Sequence, residues 1–417
     1  MSLAWVRRCR LVFVFLAGAI AVSGCSSSIA PPSVGPTTRP PGGVNDYRMV
    51  SSFPKGNTLA QNPAGNMVLV GGRLYGVARG GQSYADGVTF SATANERPTT
   101  VYRFGSQEND GVQPNRDLVE VSGIIYGTTE RGGLYGHGTI FSFNPGLRVE
   151  TVLYNFHGQS DGGEPHAGLA FVDHDLALYG TTTVGGAHGL GGIFKFVPLV
   201  SITMFHDFGP PPDSSDVEAP LMYDGYHLWG VSSEGGSHKG SSGTFANGYG
   251  TIFRYNLSGS GGVYYDCDGN TMLAPHESFT VGGDDRFNFS VASGFNKPDG
   301  YIYRVTRVRA KDQLVIVHEF VKSEGTEPSG GLLINGHFGW GVTVRAPNDQ
   351  DGGAIYRYDF ENNALGVAHA FTGKGRNPSD DGSQPASTPL SYAGGIYGTT
   401  RYGGAEGQGS IWAVSGD

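Results

Sequence analysis

Residues 125–143 read IYGTTERGGLYGHGTIFSF, and residues 396–414 read IYGTTRYGGAEGQGSIWAV. The same pattern thus recurs far along the chain: an apolar run, Tyr-Gly-Thr-Thr, a Gly-Gly pair, then a second apolar run. Period-two alternation is the mark of a half-buried strand, because successive side chains leave opposite faces. Thr139, Phe141 and Phe143 share one face, and further on Val152, Tyr154 and Phe156 do the same. Gly132-Gly133 and Gly136/Gly138 are suited to the positive φ angles that a tight turn between strands demands. Working outward, the unit at residues 118–156 predicts four short strands, at 118–121, 124–128, 139–143 and 151–156.

Copies of this unit fill the chain. Tyr/Trp-Gly pairs stand at Tyr75-Gly76, Tyr126-Gly127, Tyr179-Gly180, Trp229-Gly230, Trp340-Gly341 and Tyr397-Gly398. Their spacings are 51, 53, 50, 111 and 57, and the doubled gap predicts a degenerate copy at Phe287-Asn288-Phe289. Phenylalanines closing an alternating run give a second count, at Phe53, Phe104, Phe156, Phe208, Phe279, Phe320 and Phe371. Both landmarks imply seven units. The unit before Phe279 reads as long, with insertions around 237–248 and 258–270, and the next as short. Four strands repeating about every 50 residues are the signature of propeller blades, whereas a β-solenoid has much shorter coils.

The ends sharpen the expectation. The last unit stops after its third strand, while residues 47–53 resemble a fourth strand with no first three. Pairing them completes a blade and hides two edges that would otherwise invite aggregation. The expected fold is therefore all-β: a seven-bladed β-propeller of four-stranded antiparallel blades over residues 46–417, its last blade completed by the N-terminal strand. The pattern YGTT-x-x-GG-x-x-G-x-GTIF resembles the tandem GloVer repeats of exported bacterial proteins. The likeness is best in the second, third and seventh units and weakest in the fifth. It implies a propeller-like architecture and an exported location.

The N-terminus carries an address. Arg7, Arg8 and Arg10 precede an apolar run at 11–22 that is too short to span a bilayer comfortably. Val22-Ser23-Gly24-Cys25 follows, which resembles the bacterial lipobox, where small residues admit the peptidase and the thiol takes diacylglycerol. Residues 1–24 are expected to be a lipoprotein signal, Cys25 the lipidation site, and residues 25–45 a lipidated tether. Residues 26–43 are rich in Ser, Pro, Thr and Gly. Ser26 after the cysteine favours the outer membrane, if the host has one. The expected location is the cell envelope, held to the membrane through the acyl chains.

Composition agrees with this frame. The chain has 417 residues, 69 of them Gly and 23 Pro, which disfavours long helices. With 21 Tyr and 23 Phe, it suits pleated, half-buried surfaces. The formal net charge of −9 and the lack of a basic stripe exclude a general nucleic-acid binder. Cys9 lies in the signal and Cys25 takes lipid, which leaves Cys267 alone and no internal disulfide framework.

In a four-stranded antiparallel blade, the loop between strands two and three emerges on the same face as the blade-to-blade loop. The first kind carries GG-x-x-G; the second carries Asp-Gly-x-x-Pro, as at Asp110 with Pro114 and Asp161 with Pro165. Histidines gather there: His137, His188 and His238 in the first kind, His157 and His166 in the second. His137, His166, His188, His238 and Asp161 are therefore the candidate ligand-binding residues, suited to a metal, an anion or a sugar. Their plainer role is as solvated loop residues, and the Asp-Gly aspartates suit turn-making. The run 266–270 (Asp-Cys-Asp-Gly-Asn) departs from an EF-hand in its glycine position and lacks the later acidic ligand. Asp284-Asp285 and Asp380-Asp381 read as polar turns, and Trp229, Trp340 and Trp412 as strand packing.

No metal or cofactor signature, nucleophile elbow or phosphate loop is present, so neither a cofactor nor a catalytic residue is assigned. The expected function is a non-catalytic binding or protein-interaction propeller, a monomer facing a glycan or an envelope protein. The alternative is a propeller lyase or hydrolase with a His/acid site at the loop-rich mouth. A structural envelope component with no small ligand is the third reading.

Overall fold

The four strands expected around Tyr126-Gly127 form where the alternation places them. They are Val119–Val121, Ile124–Gly132, Thr139–Asn144 and Val149–Asn155, hydrogen-bonded in that order, with Gly111–Pro114 prolonging the first. The computed structural model describes residues 46–417 except 57–59, 81–85, 239–246, 270–271, 273–274, 276–278, 282–286, 292–298, 309–310, 374–380, 386 and 417. Cys25, the signal and the tether lie outside the described residues, as do Asp284-Asp285, Asp380, Asn270 and much of the 237–248 insertion.

Five further sheets likewise come from single continuous stretches. The first runs Ala60–Val70, Arg73–Gly80, Val88–Thr93, Glu96–Arg103; the third Ala170–Val172, Ala177–Thr182, Gly192–Val197, Ser201–Asp207. The fourth runs Met222–Tyr223, His227–Ser232, Thr251–Asn256, Gly261–Asp266, and a small ribbon pairs Ser214–Ser215 with Glu234–Gly235. The fifth runs Thr280–Val281, Phe287–Val291, Tyr301–Val308, Lys311–Glu319; the sixth Thr326–Asn335, Phe338–Ala346, Gln350–Asp359, Ala364–Ala370. The degenerate copy at Phe287-Asn288-Phe289 is thus a strand, as the doubled spacing predicts.

One more sheet joins the two ends of the chain. Ser383–Pro385 and Leu390–Tyr392 pair with Gly395–Tyr402, which pairs with Ser410–Ser415, and the outer strand is Arg48–Ser52. Its register sets Arg48 opposite Ala413 and Ser52 opposite Ser410.

Each sheet packs face to face on the next. Tyr126, Ile140 and Phe156 of the second meet Leu169, Leu178 and Phe194 of the third. Trp340 and Val342 of the sixth meet Ile396, Trp412 and Val414 of the closing sheet. That sheet's Tyr397 and Ile411 in turn meet Met67, Leu74 and Phe90 of the first. The result is a β-propeller fold. Full burial of one such aromatic contributes about 1.5–3 kcal/mol, so most of the stability lies between sheets. Trp229, Trp340 and Trp412 are fully buried on strands, as expected.

Two repeated details explain the sequence pattern. The glycine of each Tyr/Trp-Gly pair faces an aromatic across the sheet: Gly127 opposite Phe141, Gly180 opposite Phe194, Gly398 opposite Trp412. A Cβ on Gly180 would stand 2.5 Å from Phe194 Cζ, so a side chain there would displace the ring. In the fifth sheet Phe289 holds this register, opposite Tyr303, which is why that copy is hard to read.

The second detail corrects the phenylalanine count. The amides of Phe53, Phe104, Phe156, Phe208, Phe320 and Phe371 each donate to a glycine carbonyl just before, or for Phe371 shortly after, the start of their own sheet's third strand, at 2.9–3.0 Å. In the fourth sheet Cys267, not Phe279, does so, to Gly250 at 3.1 Å. A β-bulge three residues earlier marks the same place throughout, at Val50, Val101, Leu153, Phe205, Tyr264, Val317 and Ala368. With Cys267 as the landmark the spacings become 51, 52, 52, 59, 53 and 51. The thiol is smaller than a phenyl ring, and Met272 and Phe279 pack with it in one buried cluster. The same bulge interrupts the alternation expected for Val152, Tyr154 and Phe156, because Leu153 is the extra residue.

Candidate functional site

Hydrogen bonds bring the two loop types together at one end of the ring. Gly133 donates to the Asp110 carbonyl at 2.7 Å and Gly186 to that of Gln159 at 2.7 Å. Gly132, Gly133, Gly136 and Gly138 all have positive φ, as the turn requires. At several landmarks the preceding residue caps the same loop from below. Asn155 Oδ1 accepts from the Leu134 amide, Asp207 Oδ1 from Ala187 and Ser52 Oγ from Ala405, at 2.7–2.9 Å.

A second repeated clamp builds the mouth. Asn62, Gln113, Glu164, Asp216, Glu327 and Gln384 share a left-handed backbone, with φ of 48–59°. That twist turns the amide backwards onto the preceding sheet's loop. Glu164 N–H donates to the His137 carbonyl at 2.8 Å, and Asn62 N–H to that of Gln408 at 2.8 Å. Two residues further on stand Asn115, His166, Glu218 and Ser329. His166 and Glu218 therefore hold one register on neighbouring sheets.

This register makes the site. A ring nitrogen of His166 and carboxylate oxygens of Asp216 and Glu218 all lie within 4.8 Å of one another. Glu130 Oε1 is 3.7 Å from His166 Nε2. Ser233 Oγ donates to Asp216 Oδ2 at 2.6 Å and fixes that carboxylate. Beside them, Glu164 Oε1 is 3.8 Å from His137 Nδ1. The group is partly exposed, with one imidazole among three carboxylates, of which Glu130 Oε1 also pairs with Arg131 Nε at 3.2 Å. Oxygen and imidazole donors at this spacing suit a divalent cation.

Residues 40–245, which include this whole cluster, match the model of the Gloeobacter/Verrucomicrobia repeat. That stretch belongs to the Gloeobacter/Verrucomicrobia repeat family. The matched stretch includes the clamps at Asn62, Gln113, Glu164 and Asp216 and the His166 cluster. Among solved structures, the chain is similar to an oligogalacturonate lyase from Vibrio parahaemolyticus, at 11% identity and a TM-score of 0.53. The likeness covers 89% of this chain and 98% of the lyase. It is also similar to TolB from Acinetobacter baumannii, at 14% identity and a TM-score of 0.42, over 70% of this chain and 62% of TolB. A prolyl endopeptidase is matched at 10% identity and a TM-score of 0.48, over 85% of this chain and 50% of that one. The chain thus spans less than two thirds of the TolB and endopeptidase chains. Likeness at these identities shows the fold alone. No curated protein sequence matches the chain.

The other histidines expected at the mouth have separate neighbours. His238 Nδ1 lies 3.3 Å from Asp266 Oδ2, and His188 is exposed at the tip of the third sheet's loop. Asp161 is engaged inside its own loop. Its Oδ2 accepts from Tyr154 Oη at 2.7 Å, from the His157 amide at 3.0 Å, and pairs with His157 Nδ1 at 2.8 Å. Burial pushes this carboxyl up, but the Tyr154 and His157 hydrogen bonds outweigh it and hold Asp161 below the usual range. The same brace recurs as Tyr102–Asp110, His206–Asp213, His318–Glu324 and His369–Asp381, at 2.6–3.1 Å. Asp266 Oδ2 caps the Ser237 amide at 2.9 Å. Glu130, Asp216 and Glu218 escaped the sequence reading. The signal that would have found them is the register shared by Pro165-His166 and Val217-Glu218.

Proposed function

We propose that this chain is an exported lipoprotein, anchored through Cys25 at the cell envelope, whose propeller binds a cation at its loop-rich mouth. The signal and tether readings rest on the charge, apolar run, small residues and cysteine in order at residues 7–25. The ring is read as seven-bladed, with the closing sheet as the seventh blade. Its support is the buried apolar cluster on each side of that sheet, one toward the sixth and one toward the first.

The observation that carries the binding reading is the His166–Asp216–Glu218 group, drawn from matching positions of adjacent sheets. An acidic mouth favours a divalent cation, alone or bridging to an anionic sugar of an envelope glycan. Calorimetric titration of Ca²⁺, Mn²⁺ and Zn²⁺ into the chain starting at residue 25 tests it. We expect one saturable site, weakened at least tenfold by Asp216→Asn and untouched by His188→Ala. Equal uptake by the wild type and Asp216→Asn removes the reading.

The enzymatic alternative draws on the same atoms, because an imidazole beside carboxylates has the geometry of a general base. Saturable turnover of an acidic oligosaccharide, lost in His166→Ala, would favour it over binding alone.

A further inference from the structure

The two ends of the ring differ in what they show to solvent. Among the described residues, the five most exposed large apolar side chains are Tyr226 (78%), Leu199 and Val200 (76% each), Leu176 (65%) and Leu147 (64%). All five lie in turns joining strands one and two or strands three and four, at the end opposite the glycine-rich loops, on the second to fourth sheets. Chain direction puts one more thing at that end. Arg48–Ser52 is a fourth strand, so it runs from the turn end toward the loop end, and Arg48 begins among the turns. The N-terminal segment therefore joins the ring on the face that carries these apolar tips.

We propose that this turn end rests on the bilayer to which Cys25 is tethered, with Leu147, Leu176, Leu199, Val200 and Tyr226 entering the headgroup region. The nearby presence of that bilayer rests on the lipoprotein reading; the apolar tips do not. Tips that stand out singly from tight turns match shallow insertion, where apolar side chains leave water and Tyr keeps its hydroxyl at the interface. Five such tips on one end of three successive sheets are what single apolar contacts with a headgroup layer require. The neighbouring acids are already engaged. Asp175 is held by Lys195 Nζ at 2.5 Å and Tyr179 Oη at 2.7 Å, and Asp224 by Trp229 Nε1 at 2.8 Å. Among the described residues these turns carry a single exposed arginine, Arg148 beside Leu147, rather than a basic cluster, which suits zwitterionic rather than anionic lipid. A tether of about 20 residues spans up to roughly 60 Å when extended, so lipidation alone leaves the ring's orientation open. The apolar turns select one.

The test uses the chain from residue 25 with Cys25→Ser, which carries no acyl group, in co-sedimentation with phosphatidylcholine vesicles. We expect saturable partitioning, reduced at least tenfold by Leu199→Asp with Val200→Asp. Leu134→Asp with Tyr135→Asp, at the opposite end, should leave it unchanged. All four sites are exposed, and unchanged melting curves establish that the variants fold. Docking is overturned if the wild type stays with the supernatant, or if both double variants lose binding alike. It is also overturned if sedimentation equilibrium shows a dimer that the Leu199/Val200 pair breaks. The mass of the Cys25 peptide from cells tests the anchor separately. Vesicle binding with an unmodified cysteine leaves docking standing and removes the anchor; lipid on Cys25 without vesicle binding does the reverse.

Discussion

The third and fourth units solve one packing problem in different ways. In the third, Phe208 ends the outer strand, donates its amide to Gly191, and is completely buried. In the fourth, Cys267 makes the matching backbone bond, and Met272 and Phe279 from the following segment join its buried cluster. The closing sheet is a third solution, because its Phe53 arrives from the other end of the chain. What persists is the bulge and the amide-to-glycine bond; the side chain varies. A repeat is defined by its backbone before its residues.

Removing residues 46–53 tests the most extreme of these solutions. It takes away an outer strand and Phe53, exposes an edge, and should abolish cooperative unfolding or cause aggregation. An unaltered melting transition would show that the ring does not need this strand. Phe208→Ala should cost about 3–5 kcal/mol, since no neighbouring segment stands ready to fill the space. Cys267→Phe asks the converse question. With Met272 and Phe279 already in place, the larger ring should overpack and cost about 1–3 kcal/mol. If that variant is instead more stable, the slot held a void. Both values follow from denaturant unfolding.

A smaller effect separates the second unit from the third. Glu150 pairs across the sheet with Phe143 where the third unit has Ile202 opposite Phe196. Glu150 is buried, with Oε1 lacking a hydrogen-bond partner. Burial, reinforced by Asp110, pushes its carboxyl from 4.5 up to about 8. The unfolded chain therefore releases this proton near pH 4.5, and the folded chain holds it to about pH 8. The folded state binds more protons between those limits, so this residue's contribution to stability falls as pH rises through the window and is level above it. Glu150→Gln should remove that slope and stabilise the protein by on the order of 1–3 kcal/mol at pH 8, with little change at pH 4. A variant whose pH profile matches the wild type would place the slope elsewhere.

The sequence made the period, the four-strand unit, the glycine turns and the terminal strand pairing legible, because each is local or repeats at a fixed distance. Phe279 misled because a phenylalanine happened to lie 12 residues beyond the true slot, and a cysteine in a core position gives no periodic signal. The mouth was half legible. His166 was visible as a loop histidine, but its carboxylates come from two other segments, at Glu130 and at Asp216 and Glu218, and only the ring's geometry unites them. Asp161 shows the opposite limit, for its tyrosine and histidine partners identify a loop brace that spacing alone does not reveal.

The strand at Arg48–Ser52 is both the clasp of the ring and the continuation of its leash, so any pull on the leash bears directly on the clasp. Tyr47, just ahead of it, and Arg48, its first residue, act as strain relief. The Tyr47 ring stacks on His369 at 3.4 Å, its hydroxyl donates to the Asp381 carbonyl at 2.9 Å, and Arg48 donates to Tyr397 Oη at 2.9 Å. Under load these contacts must give way before the first rung of the strand can peel. With the anchor proposed at Cys25, such contacts would let the ring tolerate drag at its attachment without opening its circumference.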